Sequence, residues 1–142
     1  MWSEAGAVQD RTIYEDAVFA RMLTDDGLME RRDYETYITL FSTMARFMQR
    51  PDVVVYLDVS PEESLRRIQM RQRDCESGVT LAYLTKLHAA YEEFLRDVSR
   101  SVHVIRIDYS QFRSAEEMAL EIAREFVSKA ESRISDVRWK NA

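Results

Sequence analysis

Residues 51–78 read PDVVVYLDVSPEESLRRIQMRQRDCESG, and the first half of that stretch decides the fold. Pro51 and Asp52 punctuate the chain, and residues 53–57, VVVYL, follow as an unbroken apolar run rich in β-branched and aromatic side chains. A strand that faces water on one side alternates; one covered on both sides does not. The run therefore reads as a central strand of a parallel sheet. Ser60, Pro61, Glu62 and Glu63 then supply a capping hydroxyl, a proline suited to the first helical position, and acids at the positive end of the helix dipole. A helix is predicted from about residue 61, running through LRRIQMRQR until DCESG breaks it.

Working outward, Tyr34, Tyr37, Ile38, Phe41, Met44, Ala45 and Met48 form one apolar stripe at helical spacing. Residues 14–23 read as a further helix closed by Asp25, Asp26 and Gly27, and residues 5–9 as a brief buried strand that delivers Asp10 and Arg11 at its carboxyl end. Downstream, Leu81, Leu84, Leu87, His88, Tyr91, Phe94 and Leu95 mark the buried side of a helix. Residues 102–107 form an outer strand, interrupted by His103 and Arg106. Ser114 and Glu117 make a capping box for a closing helix that buries Ala115, Met118, Ala119, Ile122, Ala123 and Phe126. Three strands alternating with helices give an α/β layer fold. An all-helical bundle fits the helix content but leaves no place for VVVYL.

Composition narrows the function classes. The 142 residues suffice for one core and are read as a single domain, with no internal repeat or linker. A net charge of −5 opposes binding to a nucleic-acid polymer or an anionic membrane surface. Cys75 is the only cysteine, so neither an intrachain disulfide nor a cysteine zinc site can form. No stretch has the apolar length of a membrane span or a signal peptide, and a cytoplasmic location is expected.

Against that acidic background, Arg66, Arg67, Arg71 and Arg73 place four guanidiniums within eight residues. Such forks suit phosphate oxygens, although a solvated helix face paired with Glu62 and Glu63 explains the spacing equally well. Asp10 and Arg11 suit Mg²⁺ or a substrate hydroxyl at a strand's carboxyl end, where open α/β sheets bind ligands, but charge is also ordinary there. Asp16 alone reads as a surface acid, and His88 and His103, without a second ligand at metal spacing, read as packing or surface residues. Gly6, Gly27 and Gly78 are the only glycines and Lys86, Lys129 and Lys140 the only lysines, none following a glycine, so these residues contain no G-x-x-x-x-G-K-[ST] phosphate loop.

Taken in order, QDRTIYEDAVFA, DYETYITLF and PDVVVYLDVSPEESLRRIQMRQRDCESGVTLAYLTKLHAAYEEFL resemble the deoxynucleoside kinases, most closely their bacterial deoxyadenosine and deoxyguanosine kinase branch. The similarity spans residues 6–109. It implies a partial P-loop-kinase-type three-layer fold, a parallel sheet flanked by helices, lacking the first strands and the P-loop. Residues 1–142 would then be one incomplete domain, with a lid at 66–80 and a C-terminal tail at 130–142.

The resemblance also implies roles. Arg11 lies near the nucleoside hydroxyl, Asp10 near Mg²⁺, and Asp16 recognises the base. Arg67, Arg71 and Arg73 embrace the phosphates, and Glu76 contacts the deoxyribose hydroxyl; Arg66 receives no role. The reaction is transfer of the ATP γ-phosphoryl group to the 5′-hydroxyl of a deoxynucleoside, purines preferred, with Mg²⁺ and a possible homodimer. In the family, the phosphate loop and the catalytic carboxylate precede the DRT segment, so weak or absent activity of these 142 residues alone is expected. Two alternatives stay open: a non-catalytic kinase-like binding or assembly module, and a relative of thymidylate kinase.

Overall fold

A computed structural model describes residues 6–138, with side chains described through residue 128. The chain falls into two compact units, Met1–Gln49 and Arg50–Ala142.

In the first unit, α1 (Ile13–Asp25) packs on α2 (Arg31–Ala45). The α2 stripe makes the contact: Phe41 takes the Tyr14 ring edge-on at 5.9 Å and stacks on Tyr37 at 6.5 Å. Val18, Ala20 and Met22 of α1 are buried, whereas the far end of the stripe, Met44 and Met48, stays exposed. Gly27, at φ 70°, takes the left-handed conformation that lets the chain turn after α1.

The second unit is built on a parallel pair, β1 (Val53–Asp58) and β2 (His103–Asp108), registered from Val53 opposite His103 to Asp58 opposite Asp108. Between the strands run α3 (Pro61–Arg71), a 3₁₀ turn (Asp74–Glu76) and α4 (Leu81–Val98), and α5 (Ala115–Arg138) follows β2. Strand alternation puts Tyr56 and Arg106 on one face, where Tyr56 stacks on Tyr91 of α4 at 6.1 Å. Ile105 and Ile107 point the other way and are the most buried residues of the sheet. Helix ends follow the expected chemistry. The Ser114 hydroxyl accepts the Glu117 N–H at 3.2 Å while the Glu117 carboxylate accepts the Ser114 N–H at 3.1 Å, a complete capping box. Ser60 caps α3 by accepting the Glu63 N–H at 3.2 Å, and Thr80, which the sequence reading passed over, caps α4 in the same way.

Three expectations change. Expected as a central strand covered on both sides, β1 pairs only with β2 among the described residues, and its Val55 and Leu57 stay exposed. Residues 6–9 form no strand, because the described sheet consists of β1 and β2 alone and offers them no ladder partner; Ala5 lies outside the described residues. The backbone of α5 continues helical to Arg138, well into the predicted tail, whose last four residues lie outside the described residues.

Candidate active site

The sequence-predicted residues divide between the units. In the first, Asp10 and Arg11 lie just before Thr12, the N-cap of α1, and Asp16 lies in the first turn of the helix; all three are exposed. Arg11 has φ 59°, a left-handed conformation that non-glycine residues seldom adopt. Its guanidinium lies 3.6 Å from the Glu15 carboxylate and 5.7 Å from the Phe19 ring. On α2, the Tyr37 hydroxyl is buried without a hydrogen-bond partner. Burial first, and then the charge of Asp16, push its pKa up. Tyr37 was read from sequence only as part of the apolar stripe.

In the second unit the four arginines separate into two pairs, each organised by one glutamate. Glu63 accepts Nε of Arg66 and Nε of Arg67, both at 2.7 Å. Those bonds, more than the charges behind them, hold its carboxyl down at about 2. Because this pKa lies below the usual 4.5, the contribution of Glu63 to stability is present above about pH 4.5 and disappears as pH falls towards 2. The stability difference between the native protein and Glu63→Gln should therefore be largest near neutrality and close by pH 2, read from urea unfolding at a series of pH values. A difference independent of pH would contradict the pairing.

Arg67 belongs to the interior of this arrangement, with its side chain only 14% exposed. Its Nη2 donates to the Tyr109 carbonyl at 2.7 Å and the Ser110 carbonyl at 3.0 Å. Its guanidinium also lies 4.4 Å from the Phe112 ring centroid and 5.1 Å from that of Tyr109. The accepting turn is itself fixed, by Tyr109 N–H donating to the Asp58 carbonyl and Ser110 N–H to the Asp108 carboxylate, each at 2.9 Å. Arg67 thus straps α3 to the carboxyl ends of both strands. Arg67→Met keeps an unbranched stem against the rings but removes the donors, and should cost about 2 kcal/mol, the scale for charged hydrogen bonds. A loss below about 0.5 kcal/mol by urea unfolding would refute the strap.

Arg71 and Arg73 are instead open to solvent, 51% and 63% exposed, and both turn towards Glu76. Arg71 Nη2 reaches its two carboxylate oxygens at 3.0 and 3.2 Å, and Arg73 Nη1 lies 3.8 Å from one of them. The chain brings them together by leaving α3 at Gln72, which takes φ 49° and ψ 47°, and entering the 3₁₀ turn. Two exposed guanidiniums gathered on one carboxylate at the end of a helix present N–H donors of the kind that phosphate oxygens accept from.

A further polar cluster closes the strand ends. Arg106 donates to Asp58 Oδ2 at 3.0 Å and to Glu92 Oε2 at 2.8 Å, with its guanidinium carbon 5.4 Å from the Tyr56 ring centroid. The Arg106 hydrogen bond is the main cause of the lowered Glu92 pKa. The signal of this cluster in the sequence was a charged Arg106 among the apolar residues Val104, Ile105 and Ile107 of its strand.

The profile of the family described as "Deoxynucleoside kinase" matches residues 2–130. The chain belongs to the deoxynucleoside kinase family. It is 54% identical over 128 residues to the deoxyadenosine kinase of Dictyostelium discoideum, a match covering 90% of this chain and 52% of that protein. It is 41% identical over 93 residues to the deoxyadenosine/deoxycytidine kinase of Bacillus subtilis, covering 63% of this chain and 43% of that one. Among solved structures, deoxyadenosine kinase from M. mycoides with bound dCTP superposes with a TM-score of 0.71 at 26% identity, covering 83% of this chain and 62% of that one. The same enzyme with bound dATP gives 0.65 at 27%, covering 81% and 59%. The α/β fold read from VVVYL is thereby placed among the deoxynucleoside kinases, and this member spans about half the length of the curated relatives it matches. No helix among the described residues is long and apolar enough to cross a membrane.

Proposed function

We propose that this chain carries the nucleoside- and phosphate-gripping portion of a kinase that transfers the γ-phosphoryl group of ATP to the 5′-hydroxyl of a deoxynucleoside, purines preferred. The observation that carries the reading is the pair Arg71 and Arg73, exposed and gathered on Glu76 in a chain 54% identical to a deoxyadenosine kinase. Phosphoryl transfer asks a protein mainly for positioning and for cations around the transferred group, and these two side chains supply the cations. When the phosphates arrive they compete with Glu76 for both guanidiniums, which frees the glutamate to accept from the deoxyribose hydroxyl.

Arg67 completes the lid row from its base, its guanidinium anchored on the turn after β2. In the first unit, Arg11 contacts the nucleoside hydroxyl and Asp16 recognises the base. Asp10 offers an exposed, hard carboxylate oxygen, which fits Mg²⁺, an ion that takes one or two protein carboxylates and completes its shell with water and phosphate. The ion would supply neutralisation of phosphate charge. The exposed thiol of Cys75 accords with the cytoplasm. Leu40, Met44, Phe47 and Met48, all exposed, support a homodimer through the first unit. Sedimentation should then show a two-chain species, and a monomeric profile would count against it.

The open face of β1, where Val55 and Leu57 stay exposed, favours a second reading, a kinase-like module that docks another protein. ATP-dependent phosphorylation of the four deoxynucleosides tests the choice, using the 142-residue chain, a version extended to the relatives' length, and Arg71→Ala in each. Purine turnover that the substitution abolishes supports the kinase. Folded proteins of both lengths that phosphorylate nothing would sink it and leave the module, and turnover of thymidine alone would overturn the purine preference.

A further inference from the structure

We propose that Asp58, His88 and Glu92, all in the second unit, bind one divalent transition-metal ion of the zinc class. His88 and Glu92 stand one helical turn apart on α4, and Asp58 closes β1 from the other side. One ligand atom from each of the three lies within 4.8 Å of the others. Zinc bonds of roughly 2.0–2.2 Å require neighbouring ligand atoms closer than that, so binding draws the three side chains together.

Two further observations point at a ligand. Arg106 takes Oδ2 of Asp58 and Oε2 of Glu92, so that a single guanidinium orients both carboxylates from one side. This is the service that an outer hydrogen-bond partner gives to metal-ligating carboxylates. On the other side, Glu92 Oε1 is shut off from solvent and accepts no hydrogen bond. A buried carboxylate oxygen seldom stays without a donor, and a cation between it and His88 would satisfy it. The charges agree: two carboxylates and one guanidinium leave a net −1, which attracts a divalent ion.

The donor set selects the class. One imidazole with two carboxylates suits zinc and its neighbours, whereas Mg²⁺ prefers an all-oxygen shell. Three protein ligands leave a fourth position for water. The sequence reading found no second ligand for His88 and passed over Glu92, four residues on at helical spacing; the fold adds Asp58 from thirty residues away. The bound ion would clip the end of β1 to α4, the two elements that flank α3 and the 72–80 segment.

Zinc titration of the chelator-stripped 142-residue chain, followed by calorimetry, tests this. One ion per chain is expected, with affinity reduced about a hundredfold in His88→Gln and at least tenfold in Asp58→Asn, and unchanged in His103→Gln. A chain that takes up no zinc, or one whose affinity falls in His103→Gln but not in His88→Gln, overturns the site. Should His88→Gln fail to fold, ring NMR of the unsubstituted chain decides. The sequence has two histidines, and assignment by the His103→Gln spectrum shows which one zinc shifts. Shifts confined to His88 support the site, and shifts at His103 or at neither reject it.

Discussion

Replacing Arg71 by alanine in the kinase-length protein is expected to lower the phosphoryl-transfer rate about 10³-fold while leaving thermal unfolding where it was. The two halves of that expectation have different origins. Arg71 is half exposed and its partner in the described structure is Glu76, and exposed ion pairs contribute little to stability. Under the proposed function, its catalytic weight would come from a different state, in which the developing charge of the transferred phosphoryl group replaces the glutamate. Arginines placed in that way contribute about 10³ to 10⁵ in rate. A 10³-fold loss corresponds to about 4 kcal/mol of transition-state stabilisation. Arg73→Ala should behave alike, since its guanidinium shares the same carboxylate. Unchanged turnover in both variants would remove the arginines from the chemistry; a matching fall in thermal stability would make the loss structural.

The largest stability effect should come from Ile107→Ala, at about 3 to 4 kcal/mol, measured by urea unfolding. Ile107 is completely buried and, among the described residues, is the largest side chain so enclosed. Truncating a buried isoleucine to alanine costs about 2–5 kcal/mol, depending on how far the surroundings collapse into the cavity. Collapse is limited here because the residue sits in a paired strand, opposite Leu57, with the backbone of both strands held in register. Val55→Ala, on the same face but 37% exposed, supplies the comparison and should cost far less. Equal losses for the two would mean that the face is not covered over β2 as described.

Features that depend on short-range chemistry were legible in the sequence. The unbroken VVVYL run became β1, Ser60 and Pro61 opened α3, and the Ser114 and Glu117 box closed as written. Each is settled by residues within a turn or a strand of one another. The arginine cluster shows where such reading ends. The reading as a paired helix face holds for one half of it: Glu63 does pair with Arg66 and Arg67, while Arg71 and Arg73 remain exposed beside Glu76. No spacing rule separates the pairs, because the division arises from the left-handed step at Gln72 and from carbonyls some forty residues away at Tyr109 and Ser110. The segment at 6–9 failed for a related reason. Gly6 and Ala7 give the run little strand propensity of its own, and a strand also needs a partner, whereas the described sheet consists of β1 and β2 alone.

The register of the sheet bears on how the protein is made. Val53 pairs with His103, fifty positions later. At about 5–20 residues per second, the ribosome releases β1 about 3 to 10 s before the strand that pairs with it in this sheet. For that interval a stretch of three valines, a tyrosine and a leucine has composition favourable to intermolecular strand pairing. It is bracketed by Asp52 and Asp58, whose charges act as gatekeepers that oppose stacking with other nascent chains. Once β2 arrives, Asp58 exchanges that duty for its pairing with Arg106.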